Sequence, residues 1–259
     1  MSSFIENLRS SAPAKDHAEL FWLGQAGFAV KTHGGKVIAI DPYLSEYVLR
    51  LFPENGLGFK RLTPPPCTAQ ELDPDILLLS HEHGDHFDGD SIVPLMASGR
   101  TLVYANAPVV AEMRKMGLDM SRVTELHKGE KVELPECTLT PMDCDHGTLA
   151  PEALGFLLDF GFTKLYYAGD TSLTLDRLAA PMKEKPETAI LPINGAFGNL
   201  NGVEAAEYAA LLGCKRCVPC HFWTFPLHHG DPQEIIDAMP QKAPGCELCL
   251  LCQGEGITL

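Results

Sequence analysis

The stretch ILLLSHEHGDHFDGDS, residues 76 to 91, constrains this chain more than any other. An unbroken apolar run of that kind reads as a strand buried on both faces. It ends in His81, His83, Asp85 and His86, with Glu82, Asp88 and Asp90 among and after them. Such a half-titratable cluster is a costly way to end a buried strand unless something binds there. His81 and His83 are two apart, so on a strand they point to one side. Gly84 turns the chain, and Asp85 and His86 come round to face a second point nearby. Imidazole and carboxylate together suit zinc, manganese or iron.

Other strand-like runs recur along the chain, separated by turn residues. Residues 18–32 read as two strands broken at Gly24, and 36–44 as a third. The runs 101–107, 131–145, 154–170, 188–195, 216–222 and 246–259 continue the pattern. Helical spacing is predicted over 89–98, 107–117, 201–213 and 231–239. Gly117 and Gly213 are stop signals, Asp231 is an N-cap, and Pro232 occupies the first helical position. On the 201–213 helix, Val203, Ala206, Ala210 and Leu211 would line the buried face. The order fits an α/β (α+β) chain with two mixed sheets face to face and helices outside.

With 259 residues, 45% of them hydrophobic, the chain is long enough for one sizeable core, and a single domain over 1–259 is expected. The net charge of -14 and the scattered Lys and Arg residues disfavour nucleic acid and anionic membranes as partners. The first residues carry no apolar leader pattern and no run is long enough for a membrane span, so a cytoplasmic location is expected. A small-molecule partner follows, and a homo-oligomer is compatible with the sequence. Nine cysteines, an odd count, fit reduced thiols. Six form two runs, Cys214-x-x-Cys217-x-x-Cys220 and Cys246-x-x-Cys249-x-x-Cys252. If these are strands, residues three apart face opposite ways, and the thiols read as small core hydrophobes rather than metal ligands.

Three residues at the ends of other apolar runs could complete a metal site: His146 in MDCDHG, Asp170 in YYAGD and His221 in VPCHF. Each alone also reads as a hydrogen-bonded strand terminus. Asp41, ending IAID before Pro42, is either a turn aspartate or a support for a ligand. Asn194 opens NGAFGNLNG, a glycine-rich turn before a helix N-terminus that could hold an anionic group. His228 and His229 in FPLHHGDPQEI either line a substrate pocket or sit in a solvated loop. His17, His33 and His127 read as surface residues.

His81-Glu82-His83-Gly84-Asp85-His86 followed by His146, Asp170 and His221 resembles the HxHxDH pattern of the metallo-β-lactamase-fold hydrolases. The resemblance spans nearly the whole chain, through FWLGQAGFAV, AIDPYLS, LLLSHEHGDHFD, DCDHG, YYAGDT, LPING and VPCHF in order. WLGQAGF, VPCHF and HHGDPQEI look most like the branch containing the ascorbate-6-phosphate lactonases. The resemblance implies a four-layer αββα sandwich and two divalent metal ions, zinc or manganese first and iron as a further option. His81, His83 and His146 would hold one ion, Asp85, His86 and His221 the other, and Asp170 would bridge them. Asp41 would support the site from behind. The implied reaction is hydrolysis of a small, anionic lactone, ester or phosphodiester by hydroxide activated between two metals. Asp85, His228 and His229 are the candidate acids. The alternatives are a phosphodiesterase or nuclease of the same fold, which the acidic charge disfavours, and a non-hydrolytic iron-dependent redox relative.

Overall fold

The first strand pair is made by a left-handed turn that begins on a glycine. Gly24 and Gln25 both take positive φ, 94° and 51°, and fold β1 (Ala18–Gly24) against β2 (Gly27–Thr32). This is the break expected at Gly24. The computed structural model describes residues 3–259. Strand β3 (Val37–Ile40) adds antiparallel to β2, and β4 (Ile76–Leu79), β5 (Leu102–Ala105) and β6 (Val123–Glu125) extend the sheet in parallel from β3. Every residue of β4 is buried, as the apolar run ILLL requires.

Five helices belong to this part of the chain. They are α1 (Phe4–Ser10), α2 (Tyr47–Leu51), α3 (Ala69–Leu72), α4 (Ile92–Leu95) and α5 (Ala107–Lys115). Leu77, Leu79, Val103 and Ala105 of the sheet pack in one apolar cluster with Leu8 of α1, Leu72 of α3, Ile92 of α4 and Val109 and Met113 of α5. Burying each of the larger side chains stabilises the fold by about 1.5–3 kcal/mol. The helix predicted over 89–98 is only the single turn α4. Pro94 has no N–H to donate back to residue 90, so the helix cannot begin as early as 89, and the chain leaves at Gly99 with φ of 74°.

A second compact unit runs from His127 to Leu251, and the first comprises Met1–Leu126 with Cys252–Leu259. In the second unit β7 (Val132–Leu134), β8 (Cys137–Asp143), β9 (Leu154–Asp159) and β10 (Lys164–Tyr167) are antiparallel neighbours. After α6 (Ala179–Glu184), β11 (Thr188–Pro192), α7 (Gly202–Leu212), β12 (Arg216–Cys220) and α8 (Pro232–Lys242), the short β13 (Glu247–Leu248) completes a parallel half.

Four sequence expectations need correction. The runs 131–145 and 154–170 are each two strands, because Glu136 and Gly161 enter the left-handed region at φ of 75° and 81°. The run 246–259 also splits. Gly254 turns at φ of 84°, and β14 (Gly256–Thr258) joins the first sheet, antiparallel to β1. On α7 the buried face is Ala205, Ala206, Tyr208, Ala209 and Leu212, whereas Val203 and Leu211 are exposed. Tyr208 sets that face: it meets Tyr166 of β10 edge-on, with the hydroxyls 3.2 Å apart. Gly213 and Asp231 cap their helices where expected, and Asn201 caps the start of α7. Each sheet has seven strands, in the orders β14-β1-β2-β3-β4-β5-β6 and β13-β12-β11-β10-β9-β8-β7.

Candidate metal centre

In the first unit the site residues follow the ends of β3 and β4. Asp41 leaves β3 at φ of 40°, and its N–H donates to the Leu78 carbonyl at 3.0 Å, which fixes it beside the end of β4. Asp41, His81 and His86 are fully buried, and each offers a ligand-type atom within 4.8 Å of the other two. Asp41 Oδ1 accepts the Ser80 N–H at 2.8 Å, and Oδ2 accepts the Ser80 hydroxyl. His86 Nδ1 lies 2.7 Å from the same Oδ2. A carboxylate only accepts, so His86 Nδ1 carries the proton. The Ser80 hydroxyl gives its hydrogen to Asp41, so its contact with His81 Nδ1 at 2.9 Å makes that nitrogen a donor too. Both rings therefore bond through Nδ1 and turn Nε2 to the other side, an arrangement typical of metal-binding histidines.

His81 Nε2 lies 3.0 Å from His83 Nδ1, so two imidazole nitrogens already converge. Three rings crowd together here, with centroids of His81 4.6 Å from His83 and 4.0 Å from His86. Asp85 is held by Gln25, whose Nε2 donates to Oδ2 at 2.8 Å, and that oxygen is 3.9 Å from His86 Nε2. Asp88 is not a site residue. Its carboxylate accepts from the Leu44 N–H at 3.0 Å and from the Ser45 and Ser91 hydroxyls at 2.6 Å each, which anchors the loop beyond the cluster.

In the second unit His146, Asp170 and His221 follow β8, β10 and β12, and all three are buried. Asp170 faces one histidine with each oxygen. Its Oδ2 is 3.6 Å from His146 Nε2, and its Oδ1 is 3.3 Å from His221 Nε2. The loops after β8 and β10 are tied together: Asp145 N–H donates to Thr171 Oγ1 at 2.9 Å and Ser172 N–H to the Asp145 carbonyl at 2.8 Å. The Asp145 carboxyl is held below the ordinary carboxylate range by a hydrogen bond from Thr174, with Gly147, Ser172 and the Arg177 charge adding to it against partial burial. It therefore stays ionised and pins Arg177 at 2.9 Å.

Asn194 and His228 also come together in this unit, with Asn194 Nδ2 3.5 Å from His228 Nδ1. The His228 ring centroid is 5.3 Å from that of His221 and is walled by Phe197 and Phe225 at 5.2 and 5.0 Å. His229 is exposed and bonds its own neighbour, with Nδ1 2.9 Å from the Gly230 carbonyl oxygen. A cavity of about 260 Å³ lies against His146, lined by Leu149, Ser172 and Phe197 among others. His17, His33 and His127 are exposed.

A profile described as a β-lactamase superfamily domain matches residues 36–222, which takes in the whole HxHxDH cluster and His146, Asp170 and His221. The chain belongs to the β-lactamase superfamily. It is a metal-dependent hydrolase of the metallo-β-lactamase fold. A UPF0173 metal-dependent hydrolase of Methanopyrus kandleri is 30% identical over 252 residues, covering 90% of this chain and 96% of that protein. Another, from Rubrobacter xylanophilus, is 32% identical over 250 residues, covering 90% and 93%. Among solved structures, a metallo hydrolase from Ignicoccus hospitalis is similar at a TM-score of 0.68 and 22% identity, covering 94% of this chain and 98% of that one. A possible metal-dependent hydrolase from Veillonella parvula reaches 0.75 at 16% identity, covering 93% and 99%.

Three residues of this superfamily member were missed in the sequence and help to hold its site. Ser80 precedes His81 and orients two rings through Asp41. Thr171 follows Asp170 and ties its loop to that of His146. Gln25 braces Asp85 and is itself held by Trp22, whose Nε1 donates to the Gln25 carbonyl at 3.0 Å. Ser80 and Thr171 adjoin ligand candidates in sequence, so a search of neighbours could have found them. Gln25 lies within the family-like WLGQAGF, but only the fold brings it to Asp85. The donor set fits a divalent cation: clustered imidazoles with oriented lone pairs, and carboxylates placed to receive charge.

Proposed function

We propose that this hydrolase uses two divalent metal ions, zinc or manganese, to cleave a small lactone, ester or phosphodiester, in the manner of the lactonase-like branch its motifs resemble. His81, His83, Asp85 and His86, with His146, Asp170 and His221, are the proposed ligand set, acting within a single functional domain. The observation that carries this reading is the Asp41–Ser80 pair, which engages His81 and His86 through Nδ1 and so turns Nε2 of each ring to the other side. A buried carboxylate and hydroxyl spent on orienting two rings is what a ligand site needs and an ordinary strand end does not.

Bound metal supplies a water of lowered pKa and polarises the scissile group. The protein's residues supply the rest. Asp170 stands between His146 and His221 and would balance the charge of a cation held there. Gln25 keeps Asp85 turned toward His86. The Asn194 amide donates to His228 Nδ1, which leaves the His228 proton on Nε2, where it can be given to a leaving group. The cavity beside His146 takes the substrate, with Leu149 and Phe197 against its apolar part. The net charge of -14 supports a small molecule over a nucleic acid. No helix among the described residues is long and apolar enough to cross a membrane.

Metal analysis of the purified protein, with a screen of lactones, esters and phosphodiesters, tests the proposal. Wild type should hold close to two metals per chain and hydrolyse at least one class, and His81→Ala should lose both properties. A metal-free active wild type, or a fully active His81→Ala, overturns it.

A further inference from the structure

The two cysteine runs were read above as strands filled with small hydrophobes, but only Cys217 and Cys220 lie in a strand, β12. Cys217, Cys220 and Cys249 are buried. The first residue of each run departs from that reading. Cys214 Sγ and Cys246 Sγ lie 3.5 Å apart, at hydrogen-bond distance for two thiols, with no disulfide between them. The parallel ladder of β12 and β13 brings this about. Arg216 pairs with Glu247, and the Glu247 N–H donates to the Lys215 carbonyl at 2.8 Å, so the residues just ahead of the two strands run side by side. Gly213, at φ of 65°, ends α7 and turns the chain so that Cys214 faces its partner.

We propose that Cys214 and Cys246 are a redox-active pair that forms a reversible disulfide by exchange with a small-molecule disulfide. The two thiols are unequal, as such exchange requires. Cys246 is partly exposed and can meet a reagent, whereas Cys214 is buried behind it. The hydrogen bond from Cys214 favours the Cys246 thiolate and holds that thiol below its ordinary range. The same bond, followed by burial, keeps Cys214 protonated. In the first step the Cys246 thiolate attacks one sulfur of the reagent and releases one thiolate, leaving a mixed disulfide. That thiolate takes the Cys214 proton, and the Cys214 sulfur then attacks Cys246 Sγ and expels the second thiolate, which takes up from solvent the proton Cys246 gave up. The two cysteines lose two electrons in total, and the reagent disulfide is reduced to two thiols.

The bond would close a loop from 214 to 246 that contains β12, His221, His228 and α8. The pair sits ahead of β12, and His221 lies just beyond its other end. Oxidation therefore confines the segment carrying these two histidines without touching either side chain.

The test uses the full chain, equilibrated with oxidised and reduced glutathione at set ratios, alkylated, and mapped by mass spectrometry without reduction. Two of the nine thiols should be lost together, as one peptide pair linking Cys214 and Cys246, and should return on reduction. The oxidised form should melt at a higher temperature than the reduced form. Cys246→Ser should leave Cys214 unreacted, and Cys252→Ser should form the bond as wild type does. The proposal is overturned if no such peptide forms while the protein is folded. It is overturned equally if Cys214 reacts as fast in Cys246→Ser as in wild type. A third contrary outcome is that the thiols of both runs react only after chelation and one zinc per chain leaves with it, since the cysteines would then be metal ligands.

Discussion

The two units share a plan and differ in how they deliver their site residues. Each begins with antiparallel strands and continues with parallel ones, and each places its histidines on the loops that follow strands. In the first unit four residues, His81 to His86, come off the single strand β4 within one turn. In the second, His146, Asp170 and His221 come off three different strands. One set is therefore positioned by a local turn, the other by the register of a whole sheet. The first survives as long as its turn and the Asp41–Ser80 brace survive, and the second is exposed to anything that shifts β8, β10 or β12.

The sharpest way to break this comparison is to remove one centre from each set. His81→Ala and Asp170→Ala should each cost more than about a hundredfold in turnover, beyond what a supporting residue alone costs. Metal content should fall in both, and further in Asp170→Ala, because two imidazoles then lose a shared carboxylate. Wild-type metal content in Asp170→Ala would show that the second set does not act as ligands.

Asp41→Asn probes the local brace. It should weaken metal affinity by about 10–100-fold, read by competition with a chelator, while the fold persists. Thr171→Val removes the bonds of Oγ1 from the Asp145 N–H and to the Ser172 carbonyl, Gln25→Leu removes the bond to Asp85, and each change, at a buried position, should cost about 1–3 kcal/mol in stability. Thermal melts should show the loss, and at Thr171 it should come with weaker metal binding, because two ligand loops part there. The smallest effects separate neighbours. His228→Ala should lower kcat through loss of the Nε2 proton, whereas His229→Ala, at an exposed ring, should stay within about 0.5 kcal/mol of wild type in both stability and kcat/KM.

Legibility followed the same division. The β4 cluster was plain in the sequence because a period-two strand and one glycine turn bring its residues together locally. Asp170 and His221 could be named only as potential ligands at strand ends until the family pattern linked them, since register is a property of the sheet and not of one segment. Boundaries failed where a single residue decided a turn. Glu136, Gly161 and Gly254 each split a run that looked continuous. The α7 face was misjudged because spacing alone does not say that one tyrosine will seek another on β10. Gln25 escaped notice because nothing in its own neighbourhood calls for an aspartate sixty residues away.

One consequence concerns the order of assembly during synthesis. The first sheet contains β1, made before the second unit, and β14, made after it. The second unit is one continuous stretch. On the ribosome the first unit waits with the edge of β1 open while some 125 residues of the other emerge. The later-made unit can thus finish its sheet before the earlier one, and β14, which follows that unit in the chain, then closes the first sheet. A nascent chain halted before residue 256 should behave as an aggregation-prone intermediate, and the three residues of β14 set the moment at which the protein stops needing protection.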